Sequence, residues 1–173
     1  QQATAQSSAA QLLRTTYNSM QDALTSQDRF VALNTHSTDE MIGPTRSTDW
    51  DDNGVWRVIH THTLDADHAY VTRTFENLLI MQFNASNVLN FSPTPQQAAE
   101  AKFLRAFAMW AVLDGWNQVP FRADGSALSE TPQVLKGQAA IDQIMADLNA
   151  ALPNLPTGVK NRANKDDARF LMM

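Results

Sequence analysis

The sequence predicts an all-α fold, and three stretches of its 173 residues carry that prediction. The strongest is 98–121, where every residue from Phe103 to Leu113 is apolar except Arg105. A helix that is apolar on nearly all sides must be covered by other elements. The segments 9–24 and 136–152 supply such elements, because their apolar residues recur at helical spacing.

The central helix has clear signals at both ends. Thr94 is the expected N-cap, Pro95 suits the first helical position, and Gln97 completes a capping box three residues after Thr94. Asn117 and Pro120 follow the apolar run as a helix stop. We therefore expect this helix to be the most buried one and to pack against its neighbours in the chain.

The remaining elements follow from periodicity and composition. Helices are predicted at 9–24, 67–91, 98–116, 136–152 and from 164 onward. A long loop, 34–66, follows the first helix, because the composition from 34 to 53 shifts to Thr, Ser, Asp, Gly and Pro. Within it, the alternation at 55–63 predicts a short strand or an irregular segment. Repeated helix hairpins suggest a tetratricopeptide-like α-α superhelix, although no 34-residue repeat is visible.

Composition excludes several classes of function. A net charge of −5 argues against nucleic acid as a partner, and the absence of cysteine excludes disulfides and thiol catalysis. The longest apolar run is too short to span a bilayer. No nucleophile elbow, phosphate loop or dinucleotide fingerprint is present. None of these observations points to catalysis, and we expect no cofactor.

The loop at residues 37–57 contains the most informative chemistry. An indole face can stack on a sugar ring, while carboxylates and guanidinium groups bind hydroxyls. The candidate carbohydrate-binding residues are Arg46, Asp49, Trp50, Asp52 and Trp56. The alternative is that both tryptophans plug the loop onto the helices. Because Trp50 lies among aspartates and Trp56 among apolar residues, we expect Trp50 to meet the ligand and Trp56 to anchor the loop.

Two metal sites are weaker alternatives. Residues 49–54 fit the first half of a calcium-binding EF-hand loop, but His60 stands where a bidentate Glu is needed. His60 and His62, with carboxylates nearby, are a possible metal cluster or two ordinary polar residues. We favour no metal at either place.

Three further residues are predicted to be structural. Arg105 lies inside an apolar helix, where its charge requires a carboxylate or backbone carbonyls as partners. Trp110 is expected to fill the core, and Pro120 to end the central helix.

The stretch F-L-R-A-F-A-M-W-A-V-L-D-G-W-N-Q-V-P-F at 103–121 resembles the central helix of the SusD/RagB family. The matching residues are Glu100, Leu104, Arg105, Ala106, Trp116, Val119 and Pro120. Asn117 and Gln118 replace the usual Gly-Asp pair. Two more segments match in order: the loop with Asp39-Glu40, Pro44-x-Arg46 and Asp49-Trp50, and the helix I-D-Q-I-M-A-D-L-N-A-A-L-P at 141–153. In the loop, Ser47 and Thr48 stand where glycines are common.

This resemblance implies a function as well as a fold. It implies that 1–173 is the N-terminal helical portion of a longer single-domain lipoprotein of Bacteroidetes, anchored by an N-terminal lipid to the outer face of the outer membrane. The implied function is non-catalytic binding of glycans and their delivery to a TonB-dependent transporter of the SusC type. The competing hypothesis is a helical-repeat scaffold that binds a protein or peptide. A glycosidase is a third reading.

Overall fold

The computed structural model describes residues 2–43 and 52–173, without the side chains of residues 2–7 and 52. Its helices are α1 Gln2–Thr25, α2 Phe30–His36, α3 Val55–His60, α4 Ala69–Leu89, α5 Pro95–Trp116, α6 Gly137–Ala151 and α7 Lys165–Leu171. Two short strands, β1 Val119–Phe121 and β2 Gln133–Leu135, and two 3-10 turns, Asp52–Gly54 and Leu152–Asn154, complete it. The all-α prediction is confirmed. None of the described helices combines the length and apolar character needed to cross a membrane.

The chain divides into two compact units. Unit 1 comprises Gln1–Met20 and Leu78–Met173, and unit 2 comprises Gln21–Asn77. Each unit has its own buried interior.

Helix α5 is the centre of unit 1. The Thr94 side chain accepts a hydrogen bond from the Gln97 backbone, and the Gln97 side chain accepts one from the Thr94 backbone, so the predicted capping box is present. Asn117 ends the helix in the left-handed conformation (φ 56°, ψ 17°), which Asn tolerates better than most residues. Eleven of the 22 residues of α5 are buried, and α5 packs against α6 and the 3-10 turn that follows α6.

One side of α5 is less covered than predicted. Phe107 and Leu113 are half-buried, and Trp110, predicted to fill the core, is 37% exposed. The core prediction for Trp110 is therefore wrong for this structure. Helix α5 has apolar residues on nearly all of its sides. Its sequence alone therefore does not tell which side a neighbouring element covers.

The strands form an antiparallel hairpin that the sequence did not predict. Val119 pairs with Leu135 and Phe121 with Gln133, so the polar loop 122–132 connects the two strands. Each strand is only three residues long, and β1 has Pro120 at its centre, which argues against a strand in a sequence pattern. The Gln82 side chain of α4 donates a 2.6 Å hydrogen bond to the Pro120 carbonyl.

The prediction of a strand or irregular segment at 55–63 is wrong, because Val55–His60 is helix α3. Trp56 and Ile59 are three residues apart and are both buried, which is the spacing of one helix face. In a strand these two side chains would point to opposite faces. The apolar segment 30–33 lies in α2. Part of the predicted loop 34–66 is thus helical.

Candidate functional site

The structure locates only one of the five predicted carbohydrate-binding side chains. Arg46, Asp49 and Trp50 lie outside the described residues. Asp52 begins the 3-10 turn Asp52–Gly54, but its side chain is not described. Trp56 is 2% exposed. The binding roles of the first four residues therefore remain predictions.

Trp56 is held in the apolar interior of unit 2. Its ring lies 4.5 Å from the ring of His36 and 4.7 Å from that of Tyr70, measured between centroids. Gly43 approaches so closely that a Cβ at that position would lie 2.9 Å from the Trp56 Cβ. An indole covered in this way offers no face to a ligand. The burial fits the anchoring role expected for Trp56, and it argues against direct stacking on a sugar.

Two of the four histidines of unit 2 bind backbone carbonyls of the protein itself. His62 Nε2 donates to the Ser37 carbonyl (2.8 Å), and His68 Nε2 donates to the Val55 carbonyl (3.1 Å). His36 and His60 each have a buried Nδ1 without a hydrogen-bond partner. Burial, and secondarily the nearby His60, lower the pKa of His36.

No group of three or more histidines and carboxylates suited to a metal ion occurs among residues 2–43 and 52–173. That finding does not extend to Asp49 and Asp51 of the calcium hypothesis, which lie outside those residues.

Arg105 has the partners that its position in α5 requires. Its Nε and Nη2 donate to the two carboxylate oxygens of Asp147 in α6 at 2.6 and 2.7 Å. Its Nη1 pairs with Asp124 and also donates to the Ser86 hydroxyl of α4 at 3.4 Å. Its guanidinium lies 5.5 Å from the Phe121 ring centroid. Burial disfavours the charge, but the bonds to Asp147 and Asp124 outweigh it and raise the pKa of Arg105.

A second buried charged residue, Glu100, lies in the N-terminal half of α5. Glu100 is fully buried and accepts hydrogen bonds from Tyr17 Oη (2.7 Å), Gln96 Nε2 (2.9 Å) and Arg162 Nε (3.1 Å). The same Tyr17 oxygen accepts from the Ala163 backbone N–H at 2.9 Å. Burial and the bond to Glu100 raise the pKa of Tyr17. The network joins α1, α5 and the segment before α7.

One pocket in unit 1, called the aromatic pocket, lies beside this network. Its volume is about 630 Å³. Aromatic rings form much of its wall, namely Tyr17, Phe103, Phe107, Trp110 and Phe170, and polar side chains stand among them, namely Lys160, Asn161, Arg162 and Asp167. The Phe107 and Trp110 rings lie 5.5 Å apart. Such a wall can receive an apolar side chain or the apolar face of a sugar.

A smaller pocket, the α4 pocket, lies between α4 and the loop 122–132. Its volume is about 160 Å³. Its polar lining includes Gln82, Asn87, Asn90 and Asp124, and Phe83 adds an aromatic ring. Neither pocket was predicted. The sequence does contain a signal for this one, because Phe83, Asn87 and Asn90 are spaced i, i+4 and i+7 and so share one face of a helix.

Comparison with known proteins identifies the fold. No protein family model and no curated protein matches the chain. Among solved structures, the chain is similar to a "Laminarin binding SusD-like protein" with a TM-score of 0.74 and 24% sequence identity. The match covers 96% of this chain and 38% of the other, so the chain spans well under half of that protein's length. The chain therefore has a SusD-like fold, all-α and tetratricopeptide-like.

Proposed function

We propose that this protein binds glycans without cleaving them at the outer-membrane surface and delivers them to a TonB-dependent transporter of the SusC type. The observation that carries the proposal is the fold likeness over 96% of the chain to a laminarin-binding SusD-like protein. Laminarin and its oligosaccharides are accordingly the first ligands to test. The three sequence segments that resemble the SusD/RagB family support the same reading.

Within this proposal, the loop that contains Arg46, Asp49, Trp50 and Asp52 forms a glycan contact. Trp50 stacks on a sugar ring, and the guanidinium and carboxylates bind its hydroxyls. The buried position of Trp56, four residues after Asp52, supports this arrangement because it provides an apolar anchor for the end of the loop.

Isothermal titration of the full-length protein tests the proposal. We expect laminarin, or another member of a panel of neutral oligosaccharides, to bind and to be recovered uncleaved. Trp50→Ala should weaken binding by roughly 5- to 150-fold, if a stacking contact of about 1–3 kcal/mol measured for bases applies to sugars. Its melting temperature should match that of the wild type.

Phe91→Ala is the matched control, since Phe91 is an exposed aromatic residue (43%) outside the loop and both pockets. It should bind like the wild type. Absence of binding to every glycan, or cleavage of a bound one, would overturn the proposal.

Delivery to a transporter requires a separate test. Affinity purification of the full-length protein from its native outer membrane should recover a TonB-dependent barrel. If only the glycan-binding protein is recovered under mild detergent conditions, the delivery step is wrong while glycan binding stands.

One observation favours a second candidate function, a scaffold for a protein or peptide. The aromatic pocket is large, and Phe170 at its edge is 79% exposed. A peptide-library screen addresses this alternative. Binding of a peptide that Phe170→Ser abolishes, together with silence from the whole glycan panel, would favour the scaffold.

A further inference from the structure

The α4 pocket contains polar groups that the protein itself leaves unused. Within the described residues, the side-chain amides of Asn87 and Asn90 form no hydrogen bond with the protein, although both line this pocket. Gln82 also lines it, and its Oε1 is buried without a partner. Buried polar atoms in folded proteins nearly always have a partner, so an unpaired one needs an explanation.

The orientation of Gln82 follows from its other contact. Its Nε2 donates to the Pro120 carbonyl at 2.6 Å, and the reverse orientation would place two oxygens against each other. The residue is 7% exposed, so the orientation is confined by packing as well. Oε1 is therefore an acceptor that lacks a donor. A hydroxyl group of a ligand would donate to this oxygen and could also accept hydrogen bonds from the side-chain amides of Asn87 and Asn90.

The two charged residues that line the pocket, Arg122 and Asp124, have opposite signs. Asp124 pairs with the buried Arg105, and Arg122 donates to the carbonyls of Ala127 (3.1 Å) and Glu130. An anion entering the pocket would meet the carboxylate of Asp124 as well as the guanidinium of Arg122, so the lining offers it no net positive charge. The lining therefore suits a neutral ligand with several hydroxyl groups.

The size and lining of the α4 pocket restrict the class of ligand further. Phe83 is 45% exposed and presents an aromatic surface beside the amides. The volume of about 160 Å³ is below the roughly 300–1,000 Å³ of sites for drug-sized molecules. We propose that the α4 pocket binds a single neutral sugar unit, as a contact additional to the predicted Trp50 loop. This inference rests on the proposed glycan-binding function and names a second place where a glycan is held.

The test uses the full-length protein with both asparagines changed, Asn87→Ala and Asn90→Ala. Titration with the best glycan of the panel should show affinity lower by about tenfold, since each lost hydrogen bond contributes a modest amount. Asn154→Ala, an exposed asparagine that does not line the pocket, is the control and should bind normally. Thermal melts must show that the double variant folds like the wild type.

NMR provides a second readout that does not depend on the variants. The side-chain amide signals of Gln82, Asn87 and Asn90 should shift on addition of the glycan, and the signal of Asn154 should not. If the wild type binds glycan while these signals and the affinity of the double variant stay unchanged, the α4 pocket is not a sugar site and the proposed function stands. If the wild type binds no glycan at all, both proposals fail.

Discussion

The interiors of the two units differ in the charged side chains that they contain. In unit 1, the buried side chains Glu100, Arg105 and Asp147 are charged, and each has partners of opposite charge. In unit 2, the interior is the apolar cluster around Trp56 and Ile59, and the buried His36 beside it has an Nδ1 without a hydrogen bond. Both interiors are mainly apolar, but among the described residues only unit 1 also buries carboxylate and guanidinium groups.

The difference predicts how each unit responds to change. A matched pair is damaged most when one partner is removed, because the other charge stays buried and unpaired. A packed aromatic ring is damaged most when it is truncated, because a cavity remains. A unit with a buried imidazole loses stability at acidic pH, because burial disfavours the protonated, charged form of the ring. The following predictions test these three statements in order of expected size.

The largest effect is expected for Trp56→Ala in unit 2. Truncating a buried aromatic ring in contact with His36 and Tyr70 should lower the free energy of unfolding by roughly 3–5 kcal/mol. Urea denaturation of the full-length protein measures the loss. Leu64→Ala is a control because Leu64 is 40% exposed, and it should change stability by no more than about 0.5 kcal/mol. Equal losses for the two variants would contradict the anchoring role.

Arg105→Ala should destabilise the protein by about 3 kcal/mol, because it leaves Asp147 buried and unpaired. The double variant Arg105→Met with Asp147→Leu should recover most of this loss, since no unpaired charge is left in the interior. Asp124 is 47% exposed and can return to water in both variants. Chemical denaturation measures the free energies of unfolding of the single and the double variant. A double variant as unstable as the single one would show that the charges themselves are required.

Tyr17→Phe should cost less, about 1–2 kcal/mol, because Glu100 keeps Gln96 and Arg162 as partners. The loss comes mainly from the Ala163 N–H, which bonds to the Tyr17 hydroxyl. Thr15→Ala, an exposed position on the same helix, serves as control in the same denaturation experiment. A loss as large as that of Arg105→Ala would mean that the hydroxyl is required by the whole Glu100 network.

The smallest effect concerns the pH dependence of unit 2. The pKa of His36 is lowered in the folded protein from its ordinary 6.5, so the unfolded chain binds this proton more readily. Stability contributed by neutral His36 is therefore complete above pH 6.5 and is lost as the pH falls below that value. Denaturation at pH 7.5 and at pH 5.5 should show this loss in the wild type. His36→Phe should reduce it, whereas the exposed His62→Gln should not.

Local features of the chain were predicted correctly because their causes lie within a few residues. The capping box of Thr94 and Gln97 spans three positions, and the left-handed end at Asn117 depends on that residue alone. The amphipathic pattern of α6 repeats within each turn. The sequence also indicated that the charge of Arg105 needs partners, since a guanidinium in an apolar helix is costly without them.

Other features were decided by contacts between distant residues. Asp147 lies 42 positions from Arg105, and its selection as a partner follows from the packing of α5 on α6. The helical state of 55–60 follows from burial of Trp56 and Ile59 on one side, which short alternation could not reveal.

The division between sequence and tertiary structure has a simple physical basis in this protein. Caps, helical periods and the need to neutralise a buried charge depend on local chemistry, and the sequence alone determined them. The partner of that charge, the exposed side of α5 at Trp110 and the α4 pocket depend on which surfaces meet. Only the tertiary structure decided these, because burial is a property of two surfaces in contact and the sequence pattern describes one surface at a time.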